Sequence, residues 1–289
     1  MAKGVVNLMG ILLVFLLMLM TQNVSAQVTY QKKDSLTVCK LLKEAPKNAS
    51  TLWFARRFLN VPYVAHTLEV NDREQLVVNT RQLDCTTFVE TVTALTMCAR
   101  QNKRSWDDYI SVLRQLRYRN GQLKDYPSRL HYFTDWINDK QRMGLVTEVQ
   151  SPNPPFVAVQ TINVSYMSEH PQAYKALKNH PEFVSVIRFQ EKELTGKQYR
   201  YIPKSAVRNS ALLRQTIHDG DIIAITCNKA GLDIAHLGLA VWRQDGLHLL
   251  NASQIHKKVV TEPMTFYRYL QKHPSHTGIR IVRINQSIK

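Results

Sequence analysis

Three short stretches hold residues whose types and settings could together break an acyl bond. In Leu83-Asp-Cys-Thr-Thr-Phe-Val-Glu-Thr-Val-Thr-Ala-Leu95, Cys85 takes the first position of an amphipathic helix, with Asp84 as its N-cap and Phe88, Val92 and Leu95 on the apolar stripe. Free backbone N–H groups and the positive end of the helix dipole favour thiolate, the nucleophilic form of a cysteine. The pattern equally fits a core cysteine that opens a helix. In Gly231-Leu-Asp-Ile-Ala-His-Leu-Gly-Leu-Ala-Val-Trp242, His236 begins a strand and shares its face with Gly238 and Ala240, both small enough for another element to come close. A satisfied edge histidine would look the same. If residues 243–246 form a four-residue hairpin loop, Asn251 falls opposite Gly238 on the face of His236, within diagonal reach. A slip of one residue would turn it away, and Asn251-Ala-Ser253 also reads as a strand end or a glycosylation sequon. Taken together, a thiol, an imidazole and a polar side chain that fixes the ring's tautomer are the parts of nucleophilic acyl transfer.

The elements that must position these residues change character midway. Spacing and Ser or Asp caps predict helices over residues 35–45, 50–60, 84–101, 105–116 and 128–142. Beyond Ser151-Pro-Asn-Pro-Pro155 the period becomes two, predicting strands over 156–164, 198–202, 221–226, 236–242, 247–252 and 279–284. Helices followed by strands imply an α+β fold, helices packed on an antiparallel sheet.

Asp84-Cys85 at a helix start, His236-Leu-Gly-Leu-Ala-Val on a strand and Leu249-Leu-Asn-Ala-Ser253 after a hairpin resemble the core of NlpC-type cell-wall cysteine amidases, which are papain-like. Asp219-Gly-Asp-Ile-Ile-Ala224 is similar to that family's strand before the His strand. Pro62-Tyr63, Thr67-Leu-Glu69, Asp84-Cys-Thr-Thr-Phe-Val-Glu90 and Ser128-Arg-Leu-His-Tyr-Phe-Thr-Asp-Trp-Ile137 resemble one branch, secreted N-acetylmuramoyl-L-alanine amidases acting on anhydro-muropeptides. The resemblance spans residues 53–253. It implies Cys85 as nucleophile, His236 as base and Asn251 as orienting residue, where the family more often has His. The oxyanion donors it implies are the Cys85 N–H and the Tyr63 hydroxyl. Arg129, Tyr132 and Trp136 become candidates for gripping the substrate, although Trp136 also follows the helical spacing of a core residue. Peptidoglycan fragments are the implied partner, with no cofactor and no metal. Three other readings stay open: the same machinery cutting after γ-D-Glu in the stem peptide, an acyltransferase, or a non-catalytic wall-binding module.

Composition agrees with an exported globular chain. Residues 1–26 combine one lysine, an apolar run and the small-residue ending Val24-Ser-Ala26, which reads as a cleavable signal peptide. The mature protein is then periplasmic or secreted, keeps no membrane anchor, and forms one domain over 27–289 that acts as a monomer. Hydrophobic residues make up 44% of the chain, which excludes intrinsic disorder. The formal charge of +16 favours acidic substrates, but the basic residues are scattered and carry no nucleic-acid-binding motif. The four cysteines, 39, 85, 98 and 227, match neither a metal knuckle nor a disulfide framework, while leaving room for one bridge that spares Cys85.

Overall fold

A computed structural model describes residues 28–286; the leader expected at 1–26 lies outside them. The first half is helical, with α1 (Lys32–Glu44), α2 (Thr51–Ala55), α3 (Cys85–Arg100), α4 (Trp106–Arg117) and α5 (Phe133–Arg142). A small parallel pair, β1 (Val28–Thr29) and β2 (Leu76–Val77), flanks them. The second half supplies β3 (Val146–Val149), β4 (Ala158–Thr161), β5 (Gln198–Pro203), β6 (Ile222–Cys227), β7 (Ile234–Trp242), β8 (Leu247–Ser253), β9 (Lys258–Thr261) and β10 (His276–Ile284). These pair antiparallel in the order β4-β5-β10-β6-β7-β8-β9, with β3 on the same edge of β10 as β5. The chain is thus α+β, with helices on an antiparallel sheet. No helix among the described residues is long and apolar enough to cross a membrane.

Helix α3 forms where its cap says it should. Asp84 Oδ1 accepts from the Thr87 N–H at 2.8 Å and Thr87 Oγ1 from the Asp84 N–H at 2.9 Å, a reciprocal box that satisfies two orphan donors. Phe88, Val92 and Leu95 are fully buried, as their spacing predicts. The polar side of the helix is buried too, because α1, α2, α4, β7 and β8 surround it. Thr96 tolerates this by returning its hydroxyl to the Val92 carbonyl at 2.7 Å. Strand β6 is buried at every position, Ile222 and Ala224 in one core and Ile223 and Ile225 in another, so the sheet is covered on both faces.

Several elements depart from expectation. The helix expected over 50–60 stops as α2 and passes into a 3-10 turn, and Asn60 has a positive φ of 68°. The one expected over 128–142 starts five residues late. Ser128 closes a 3-10 turn, residues 129–132 are drawn out where Arg129 pairs with Tyr118, and the Asp233 carboxylate then caps the start of α5, accepting from the Thr134 N–H at 2.7 Å. The strand expected over 156–164 shrinks to β4. After it the chain forms helices that a period-two reading does not foresee: α6 (Tyr166–Glu169), α7 (Lys175–Asn179) and α8 (Glu182–Leu194), then α9 (Ala211–Thr216) and α10 (Phe266–Gln271). Helices α6 to α8 build a separate apolar cluster around Ile162, Val164, Met167, Leu177, Ile187 and Leu194, and this cluster reaches the site through Tyr132.

Candidate active site

Three local devices bring the three distant stretches together. The N-terminus of α3 presents Cys85 beside a cleft of about 250 Å³, whose wall includes Thr86, His131, Tyr174, Asp233 and His236. At the start of β7 the register with β6 shifts between Ile225 and Thr226, a bulge that re-aims the strand near His236. On the other side Trp242 pairs with Leu247, so residues 243–246 form the four-residue loop, and continuing the Leu239–Leu250 register sets Gly238 opposite Asn251. His236 Nε2 then meets Asn251 Oδ1 at 2.9 Å.

The asparagine's orientation settles the tautomer. Its Nδ2 faces only acceptors, the Glu262 carboxylate at 3.0 Å and the Leu249 and Val260 carbonyls at 3.5 Å, so Oδ1 must be the atom toward His236. Nε2 therefore donates to Asn251, and Nδ1 is left to deal with the Cys85 thiol. Burial pulls the His236 pKa down. The charge and hydrogen bonding of Cys85, the bond to Asn251 and the charge of Glu262 outweigh it, and the net value is raised above the ordinary 6.5.

Gly238 is required for this packing. A Cβ there would lie 2.6 Å from Leu249 Cδ1 and 3.0 Å from the Leu250 carbonyl. Gly238→Ala should cost about 1–3 kcal/mol through overpacking and displace β8, which carries Asn251; thermal unfolding measures the first effect and kcat the second.

The other residues singled out in the sequence fall into three situations. Tyr63 bridges to Leu83, two residues before the cysteine, and burial first, then the charges of Cys85 and Asp84, push its hydroxyl up to about 12, so it stays a donor. Tyr132 lines the cleft, with its hydroxyl donating to Glu191 at 2.7 Å. Arg129 and Trp136 do not reach out toward a ligand. Arg129 is buried, paired with Glu69, 3.6 Å from Glu74 and set over the Tyr126 ring, so its charge is already taken. Trp136 is 1% exposed and stacks on Phe133 in the core, the bland alternative that its helical spacing allowed. Among the described residues the cysteines form no cystine; burial chiefly pushes the Cys98 thiol up to about 12 and also raises that of Cys227, which leaves both poor nucleophiles.

His131, to which neither periodicity nor capping gives a role, lines the cleft beside Cys85 and the adjoining one of about 200 Å³. Its Nε2–H donates to the Tyr126 carbonyl at 3.0 Å, and burial, then the charge of Arg129, push its pKa down to about 3. It is a neutral ring with Nδ1 as an acceptor. Its presence in the Arg-Leu-His-Tyr segment was the only available signal.

A family model described as AmiA-like, N-acetylmuramoyl-L-alanine amidase-like, matches residues 53–279. A solved N-acetylmuramoyl-L-alanine amidase from Bacteroides uniformis is 41% identical, with a TM-score of 0.77 over 83% of this chain and 99% of that one. A Bacteroides fragilis structure, provisionally described as a xylanase, is 42% identical, with a TM-score of 0.75 over 80% and 99%. A Legionella pneumophila protein at 22% identity shares the fold, with a TM-score of 0.68 over 91% and 97%. No curated protein matches. With most of its length matched and amidase structures at about two-fifths identity, the chain belongs to the AmiA-like, N-acetylmuramoyl-L-alanine amidase-like family.

Proposed function

We propose that this amidase is exported and cysteine-dependent, an NlpC-type enzyme of papain-like core that releases stem peptides from peptidoglycan fragments, anhydro-muropeptides in particular. One observation carries the reading: Cys85 at a helix N-terminus shares a cleft with a histidine whose far nitrogen is held by Asn251 at 2.9 Å. The Cys85 thiolate attacks the carbonyl carbon of the amide joining the muramic acid lactyl group to L-Ala. The negative charge that develops on the carbonyl oxygen is met by the Cys85 N–H, which has no acceptor within its helix, and by the Tyr63 hydroxyl. As the C–N bond breaks, the imidazolium of His236 gives its Nδ1 proton to the amine, and the peptide leaves with a free L-Ala terminus. A thioester of the sugar acid remains on Cys85. Water, deprotonated by His236, attacks the thioester carbonyl; the C–S bond breaks, the sugar acid leaves, and the Cys85 thiolate and His236 imidazolium are restored.

The cleft suits an elongated polar substrate. It shares Thr86, His131 and Tyr174 with the next cleft along, and that one shares Glu69 and Tyr126 with a third of about 310 Å³. Tyr132 supplies an aromatic wall and His131 Nδ1 an acceptor for a substrate N–H or O–H. Arg129, being paired, shapes the wall. A glycosidase would call for two carboxylates facing each other across the cleft. Beside Cys85 and His236 the lining offers one, Asp233, and it is occupied with the Thr134 N–H.

Defined muropeptides with anhydro and reducing ends test the reading by mass. Free disaccharide and an intact stem peptide are the expected products. Release of an L-Ala-γ-D-Glu dipeptide, or cleavage between sugars, would overturn it.

The raised pKa of His236 sets a pH dependence. A raised value keeps the imidazolium to higher pH and loses it as pH rises through that value, so the alkaline limb of kcat/KM should fall above pH 6.5, the ordinary histidine value. Asn251→Ala removes one of the interactions that raise it and should move that limb to lower pH. The same variant should lower kcat by about 10- to 100-fold, less than the roughly 10²–10⁴-fold expected of His236→Ala, because an orienting residue assists the base without replacing it.

A further inference from the structure

Behind the asparagine the hydrogen-bonded chain continues into residues that the mechanism above does not use. Glu262, the residue after β9, is 2% exposed. Its Oε1 accepts from Asn251 Nδ2 at 3.0 Å and its Oε2 from His256 Nε2 at 3.1 Å. Its own backbone is anchored at both ends, the N–H to the Leu249 carbonyl at 2.8 Å and the carbonyl to His248 Nδ1 at 2.9 Å. Among the described residues no lysine or arginine pairs with this carboxylate, and exposed His256 is its one ion-pairing partner. A buried carboxylate so sparsely compensated is expensive to keep. What it does here is specific: an amide can be turned end for end at little steric cost, and the carboxylate is the nearest group that forbids this.

We propose that Glu262 is a positioning residue of the candidate active site, holding the Asn251 amide with its oxygen toward His236, and that His256 steadies Glu262 from the solvent side. The assignment rests on reading Cys85 and His236 as the reacting pair and extends it by two residues. With Glu262 in place, the flipped amide would set Oδ1 against a carboxylate oxygen and its NH₂ against the imidazole N–H. Without it, Asn251 Nδ2 keeps only the two carbonyls at 3.5 Å, the outer limit of a hydrogen bond, and the amide is free to present either end. His236 would then lose the acceptor that fixes its tautomer. The charge of Glu262 also favours the imidazolium form of His236, in keeping with the same placement.

Four variants of the full chain test this with an anhydro-disaccharide tetrapeptide as substrate, together with the rate of iodoacetamide labelling at Cys85 read by peptide mass. Glu262→Leu should lower kcat by about tenfold with KM little changed, and slow labelling of Cys85 to a similar extent. Asn251→Asp should be worse, since it sets two carboxylates against each other. Combining it with Glu262→Gln restores a donor facing an acceptor at the same two positions and should recover most of the lost kcat, an outcome that also covers the case in which Glu262→Leu folds poorly. Wild-type kcat in Glu262→Leu, or a double variant no faster than Asn251→Asp alone, would overturn the assignment. Cys85→Ala separates the two levels: if it is inactive while Glu262→Leu is unimpaired, only the positioning role falls, whereas turnover by Cys85→Ala removes the reading on which it rests.

Discussion

Cys85→Ala should eliminate amide hydrolysis, by on the order of 10⁴-fold or more, while leaving the thermal unfolding transition where it is. The size follows from the chemistry. With no thiolate there is no covalent intermediate, and an uncharged water would have to attack an unactivated amide in a site built around a sulfur atom. The indifference of the fold follows from position. Cys85 is only partly buried, and the helix start depends on the Asp84–Thr87 box and on Phe88, Val92 and Leu95, none of which the substitution touches. Cys85→Ser should be nearly as inactive, because a hydroxyl at a helix N-terminus is far less readily ionised than a thiol. Substantial turnover in either variant, measured by release of stem peptide, would contradict the assignment.

The second large effect is on stability. Glu148→Ala should destabilise the protein by about 3–5 kcal/mol, a large share of the 5–15 kcal/mol that a domain typically has. Arg280 is fully buried on β10. It donates from Nε and Nη2 to the two Glu148 oxygens and from Nη1 to Thr134 Oγ1 at 2.7 Å, and its guanidinium lies 4.1 Å from the Tyr199 ring centroid. Removing the carboxylate leaves a buried cation with no counter-charge. The loss should extend to the cleft, because Thr134 opens α5 and its N–H is held by Asp233, which lines the wall near His236. Replacing Arg280 and Glu148 together with apolar residues of similar volume should recover most of the stability. Chemical denaturation of the single and double variants measures this, and a single variant within 1 kcal/mol of wild type would show that water or rearrangement compensates the charge.

What the sequence revealed of the site was what local geometry controls. Loop length sets hairpin register, so a four-residue loop over 243–246 was enough to put Asn251 opposite Gly238 and in reach of His236. A cap is likewise written in adjacent residues, and Asp84 opens α3 as its neighbours suggest. Contacts across long separations left no such mark. Arg129 reads the same whether its guanidinium is free for a substrate carboxylate or committed to Glu69 and Glu74, more than fifty residues earlier. Glu262 and His256 gain significance only because β9 folds back along β8. The α6 to α8 region was illegible for another reason. Its first two helices are four and five residues long, too short for a period, and α8 exposes Val186 and Phe189 while burying Ile187 and Leu194, which blurs the amphipathic stripe. That region nonetheless supplies Met167 and Tyr174 to the cleft.

The role of Cys85 as nucleophile is tested by the mass of the enzyme caught during turnover. The wild-type protein is mixed with excess anhydro-muropeptide, quenched in acid within the first turnovers, digested, and its peptides weighed. An acyl adduct of the sugar acid is expected on the peptide containing Cys85, labile to hydroxylamine as a thioester is, and absent from Cys85→Ala. Steady turnover with an adduct on another residue, or at an undiminished rate in the Cys85→Ala protein, would contradict that role.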